Sequence, residues 1–311
     1  MSRRPVFSPA PHRRHAGMTL IELMIAMLLG LLVIGGVLGV FLGSSETSRR
    51  TDDLARIQEN ARIALDLMSR SLREAGGNAC GVPPAQISLA GLSSSNWWTG
   101  GANFEGAFKG YGSTDSLPPA AKGSIGSPTA SSDAFIAISA SAGASAVTNV
   151  SPLTVKSYQG LTANGPQPIL FGCNHTGVGI IFKPSAAITG NTIIISSSYS
   201  LPAIRIVSRV NAEAWFVGLN PRGGASLYRN TELLKEPEEV APDVASMTLS
   251  YLLPEADNYV SAASIPSGQW PNVIAVQIEL KLERNAGITP GSGKISRTFT
   301  QTVTLRNRSA L

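Results

Sequence analysis

Histidine is almost missing from this 311-residue chain. Of the three, His12 and His15 fall within the first 17 residues, so His175 stands alone in the remainder. A lone imidazole cannot make a two-histidine metal centre, and a Ser-His-Asp arrangement would have to use His175, beside which no partner motif stands. It reads as a loop residue. Cysteine is as scarce: Cys80 and Cys173 are the only two, too few for a four-thiolate zinc site. Charge is thin as well, at 14% of residues, against 31 Gly and 20 Pro. That balance suits a secreted, β-rich protein with long surface loops better than a cytosolic enzyme. Catalytic motifs are missing too. Gly291-Ser292-Gly293-Lys294 has Ile288 where a phosphate loop needs its first Gly, and Ile295 where it needs Ser or Thr for magnesium; it reads as a hairpin loop. Gly224-Ala225-Ser226-Leu227-Tyr228 lacks the second Gly of a nucleophile elbow. Glu236-Pro237-Glu238-Glu239 has no calcium-loop spacing and reads as a solvated acidic turn. No catalysis, metal or cofactor is expected.

Acid is absent from the first 17 residues, which hold Arg3, Arg4, Arg13 and Arg14. Setting those four aside leaves 21 of the 25 basic residues against 20 acidic ones, so the formal charge of +5 falls to +1. The basic balance therefore reports N-terminal topology, in line with the positive-inside rule, and gives no support for a nucleic-acid surface. Charge then disappears altogether from Leu23 to Ser45, where Leu, Ile, Val, Met and Gly dominate as far as Leu42. As a helix those positions span roughly 35 Å, enough to cross a bilayer core. Glu22 stands at the edge of this run. A carboxylate inside a membrane helix costs on the order of 2.5–3.5 kcal/mol, so it needs a partner or a purpose.

The stretch Gly17-Met18-Thr19-Leu20-Ile21-Glu22, after a basic leader and before a long apolar helix, resembles the class III signal of type IV prepilins. The resemblance implies that an inner-membrane peptidase cuts after Gly17 and methylates the new amino terminus on Met18, where the family usually has Phe. It also implies that Glu22 pairs with the Met18 ammonium of a neighbouring subunit, since two opposite charges buried together cost less than either alone. A secretory signal fits less well, because its apolar region is about 7–15 residues long and its cleavage site follows that region. A simple signal anchor is the other alternative.

Past the apolar run, Leu54, Ile57, Ala61, Ala64, Leu65, Met68, Leu72 and Ala75 recur at three- and four-residue spacing, which predicts one helix from Met18 to about Ala75, stopped by Gly76-Gly77-Asn78. Gly35, Gly39 and Gly43 permit close helix approach and also loosen the helix. The expected organisation is a cleaved leader (1–17), a membrane or filament-core half-helix (18–43), an amphipathic half-helix (44–77) and a β-rich head (78–311). Within the head, residues 80–132 read as a long Gly/Ser/Pro-rich loop pinned by Trp97-Trp98 and by Phe104 to Tyr111, and residues 133–311 as a sheet. Strands are expected at Ala134–Ser139, Thr192–Ser197, Ile204–Val210, Ala214–Leu219, Ser226–Arg229 and Met247–Leu253. Val273–Leu282 and Thr298–Leu305 alternate apolar and polar residues and form a long-looped hairpin. In an oxidising compartment Cys80 and Cys173 read as one disulfide; closing 93 residues is worth up to about 4.7 kcal/mol in the chain-entropy model. Two unpaired buried thiols are the alternative.

Trp215-Phe216-Val217-Gly218-Leu219, Ala225-Ser226-Leu227-Tyr228-Arg229, Tyr251, Tyr259 and Trp270-Pro271-Asn272-Val273-Ile274-Ala275-Val276 resemble the PilW family of minor pilins. That resemblance implies an α+β type IV pilin-like fold, with one long N-terminal helix packed on an antiparallel β-sheet head and a long αβ-loop. It implies a protein held in the inner membrane with its head in the periplasm, acting with other minor pilins, a large tip adhesin and the inner-membrane assembly platform. Such proteins start assembly of the major pilin and come to lie at or near the pilus tip, supporting twitching motility and adhesion. A J-type pseudopilin of type II secretion is one alternative, and a tip module that binds DNA or a host surface is another.

Overall fold

Thr19 and Glu22 explain where the first helix begins. In the computed structural model, the Glu22 N–H donates to the Thr19 carbonyl (3.1 Å) and lies 3.4 Å from Thr19 Oγ1. The sequence Thr-x-x-Glu is the pattern of a capping box. Helix α1 runs Leu20–Glu74, close to the expected span. The structure describes residues 17, 19–80, 86–90, 92, 97–98, 107–127, 131–157, 168–174, 178–186, 188, 190–195, 203–231, 236–266, 268–285 and 294–307. They fall into two compact units, Met1–Asp52 and Asp53–Leu311.

In the first unit, every side chain from Leu20 to Leu42 is exposed, with Leu31 at 77%. The helix turns polar at its far end, where Thr47 Oγ1 donates to the Gly43 carbonyl and Arg50 pairs with Glu46 at 2.6 Å.

In the second unit, α1 buries Ile57, Ala61, Ala64, Met68, Leu72 and Ala75 as one stripe and leaves Arg56, Glu59, Arg62, Asp66, Arg70 and Arg73 in solvent. It ends as expected: Gly76 takes a left-handed φ of +77°, and Asn307 Nδ2 donates to the carbonyls of Arg73, Glu74 and Ala75.

The head has two sheets. The first has ten strands: β1 (Gln86–Ala90), β2 (Phe108–Tyr111), β3 (Ala134–Val150), β4 (Leu153–Val155), β5 (Leu170–Cys173), β6 (Val178–Phe182), β7 (Thr192–Ile193), β8 (Ile206–Leu219), β9 (Ala225–Thr231) and β10 (Glu238–Pro242). Its spine is the antiparallel pair β3–β8, running from Ala134↔Phe216 to Ala146↔Ile206 with two register shifts. All pairs are antiparallel except β1–β6. The second sheet is an antiparallel meander of β11 (Val244–Leu252), β12 (Ala275–Asn285) and β13 (Lys294–Thr304). This is the expected α+β layout.

Both faces of the spine are buried. Phe135, Ala137, Trp215 and Val217 face the α1 stripe, together with Met247, Leu249, Tyr251, Ile278 and Leu280 of the meander. Ile136, Ile138, Ala212, Ala214 and Phe216 face the other way, under Trp97, Trp98, Leu117 and Ala121. Residues from the 80–132 connection thus roof the back of the sheet. The connection also carries β1, β2, a 3-10 turn at Thr114–Ser116 and a short helix α2 (Pro119–Lys122), so it is more structured than a loop. Gly110 in β2 is required by packing: a Cβ there would lie 1.9 Å from Tyr251 Oη, inside the cluster of Phe108, Tyr251 and Trp270.

Several expectations are revised. Ile206–Val210 and Ala214–Leu219 are parts of the single strand β8, with Ile204 and Arg205 ahead of it, because burial on both faces lets Asn211, Ala212 and Glu213 stay in the ladder. Glu238 and Glu239 are exposed as expected but lie in a strand and not in a turn. They sit in β10, where Arg229 and Arg222 pair with them across and beside β9. Of Thr192–Ser197 only Thr192–Ile193 is strand, and Ser196 and Ser197 lie outside the described residues, as do His175, Phe104 and Gly291 to Gly293.

Candidate functional site

The sequence placed the chemistry of this chain at its N-terminal edge. Gly17 is exposed, Met18 lies outside the described residues, and Thr19 caps the helix that Glu22 enters at its third position. A carboxylate in the first turn sits at the positive end of the helix dipole, and that alone favours Glu22 there. The capping role of Thr19 was missed in the sequence, although the Thr-x-x-Glu spacing carries it. The side chain of Glu22 is exposed, so its carboxylate is available to a group outside the chain.

The helix beyond Glu22 is long and apolar enough to cross a membrane, and none of its most apolar window is buried. Gly35, Gly39 and Gly43 face open space: a Cβ at any of them would meet nothing within 4 Å. Nothing among the described residues therefore requires these three glycines.

Cys80 and Cys173 are joined by a disulfide with Cα atoms 6.3 Å apart. It ties the segment after α1 to β5, beside an Asn78 Oδ1 that accepts the Cys80 N–H at 2.9 Å. Cys173 is buried in the same apolar cluster as Phe171 and stands opposite Ile206 of β8.

Other charged clusters are internally satisfied. A cleft beside β9 and β10 is lined by Arg222, Glu239, Asp243, Glu283, Arg284 and Lys294. Arg222 pairs with Glu239, Arg284 bridges Asp53 and Asp243 at 2.8 Å each, and Glu283 meets both Lys281 and Lys294. Burial pushes the Glu239 carboxyl up, but hydrogen bonds from Arg222 and Ser226 outweigh it and hold the pKa below the usual value. Among the described residues, no group of three or more His, Cys, Asp or Glu is placed to hold a metal ion.

The profile of the prokaryotic N-terminal methylation motif matches residues 12–38, which takes in Gly17, Met18 and Glu22 together with much of the exposed apolar helix. The match supports a type IV pilin-like prepilin. A prepilin signal implies processing by a prepilin peptidase and assembly with other pilins, and with the apolar helix it supports a membrane-anchored protein. No curated protein and no solved structure matches the chain.

Proposed function

We propose that this prepilin is a minor pilin of a type IV pilus that helps to start pilus assembly in the inner membrane. The observation that carries the reading is the methylation motif placed directly ahead of an unburied, uncharged helix. In this reading the peptidase cuts between Gly17 and Met18 and methylates the Met18 amine. The helix then rests in the bilayer until assembly moves it into a filament core. There Glu22 meets the amino terminus of a neighbouring subunit, and the two charges neutralise each other out of water. The head faces the periplasm and ends at or near the pilus tip with other minor pilins and a tip adhesin. The PilW reading rests on the Trp215 and Trp270 sequence motifs, whose tryptophans are buried in the core of the head.

Deleting the gene and imaging cells tests the role. Loss of most surface pili and of twitching motility is expected. Normal piliation would sink the reading, and normal piliation with defective protein secretion would move the chain to a type II secretion pseudopilus.

A further inference from the structure

The two outer edges of the meander are treated differently. On β11 most of the outward backbone groups from Met247 to Tyr251 are taken. Ser132 Oγ accepts the Met247 N–H (3.0 Å), the Asp133 N–H donates to the Met247 carbonyl (2.8 Å), Asp133 Oδ2 accepts the Leu249 N–H (2.7 Å), and Tyr251 exchanges two bonds with Val260. On β13 the outward groups have no backbone partner among the described residues, and the Ser296 carbonyl takes the Arg297 side chain at 3.2 Å.

Which groups these are follows from the register. Leu305 N–H donates to the Ile274 carbonyl, so the odd-numbered residues of β13 bond inward to β12. The outward N–H and C=O groups therefore belong to Lys294, Ser296, Thr298, Thr300, Thr302 and Thr304. The strand pairs with β12 over eleven residues without a bulge. It contains no Pro, and from Thr298 to Leu305 it contains no charge. Natural edge strands are normally blunted by bulges, prolines or lysines, and this stretch has none of the three. On its core side Ile295 and Phe299 are only half-buried, for want of a neighbour beyond them.

We propose that the outer edge of β13 accepts an extended segment of another protein as a further strand of the meander. The segment is about eight residues long, uncharged in its middle and acidic at its ends. The charge pattern sets that chemistry. Arg297 and Arg306 bracket the uncharged stretch, both are exposed, and neither has an ion-pair partner among the described residues. Alternate residues of the added strand would cover Phe299, so they are apolar; the others lie beside Thr298, Thr300 and Thr302. A second copy of this chain fits worse, because symmetric antiparallel pairing centred on Thr300 sets Lys294 opposite Arg306 at both ends. The surface lies in the Asp53–Leu311 unit and does not depend on the prepilin reading.

The test uses the full chain in detergent and a synthetic peptide with a seven-residue alternating Thr/Val core and one Glu at each end. Hydrogen exchange and fluorescence anisotropy are read together. The peptide should bind and slow exchange at the amides of Thr298, Thr300 and Thr302. Thr300→Pro removes one outward N–H and leaves the ladder to β12 intact, so it should weaken binding at least tenfold with an unchanged melting temperature. If that variant melts early, the double reversal Arg297→Glu, Arg306→Glu serves instead. It should reject the acidic peptide and bind one with Lys at each end. Absence of peptide-dependent protection on β13, or equal binding by the variants, would overturn the proposal. Protection that rises with protein concentration alone would overturn it in favour of self-pairing.

Discussion

Asp133 Oδ2 accepts the backbone N–H of Leu249 at 2.7 Å, and through that bond the spine strand β3 is stitched to the edge of the meander. The carboxyl is half-buried. Burial raises its pKa above the usual 3.8, and the Leu249 N–H opposes the rise only in part. A carboxyl whose folded pKa is raised binds protons more readily in the native state than in the unfolded one. Its ionisation therefore lowers stability as pH rises from about 3.8 through the folded value.

From this, Asp133→Asn should keep the bond to Leu249 without the ionisation penalty. Its melting temperature at pH 7 should equal or exceed that of the wild type, with the gap closing toward pH 3. Asp133→Ala leaves the Leu249 N–H unsatisfied and should cost about 1–3 kcal/mol at either pH. Thermal melts across pH check both. A wild type more stable than Asp133→Asn at pH 7 would contradict the assignment.

Gly110→Ala should destabilise the head by about 1–3 kcal/mol or more, since Tyr251 Oη stands where the new methyl would go. Removing that oxygen as well, with Tyr251→Phe, should recover part of the loss in a double-mutant cycle. Additive losses would show that the two sites do not touch.

For the cysteines, the exported protein should give one internal Cys80–Cys173 bond in non-reducing mass spectrometry. The pair Cys80→Ser, Cys173→Ser should lower stability by about 2–4 kcal/mol. Two alkylatable thiols in the exported protein would contradict the bond.

Glu22→Gln separates capping from charge pairing. An amide at this position can still reach the first turn in a capping box but cannot neutralise an ammonium. The variant should be cut, methylated and inserted normally, and should enter filaments at least tenfold less than wild type by immunoblot of sheared pili. Wild-type incorporation would leave Glu22 with a capping role alone.

Much of this fold was legible because periodicity survives wherever one face is buried and the other is wet. The α1 stripe from Ile57 to Ala75 and the alternation of Ile274 to Leu282 are both of this kind. The reading failed where burial is two-sided or strands are short. β8 looked like two strands, because Glu213 among apolar neighbours suggests a break until Arg229 and the Trp215 ring nitrogen are seen beside it. β5 and β6, of four and five residues, are fixed by pairing with distant β8 and with each other, which no local pattern encodes. At the N-terminus the sequence was more informative than the fold. The roles proposed for Gly17, Met18 and Glu22 involve partners outside the chain, and what the structure adds is the Thr19 cap and an unburied helix behind it.

The most direct test of the account is the mass of the N-terminal peptide of the protein recovered from cell membranes. The account predicts a chain that starts at Met18 and carries a methylated amine. An intact leader, or cleavage at any bond other than Gly17–Met18, would contradict it.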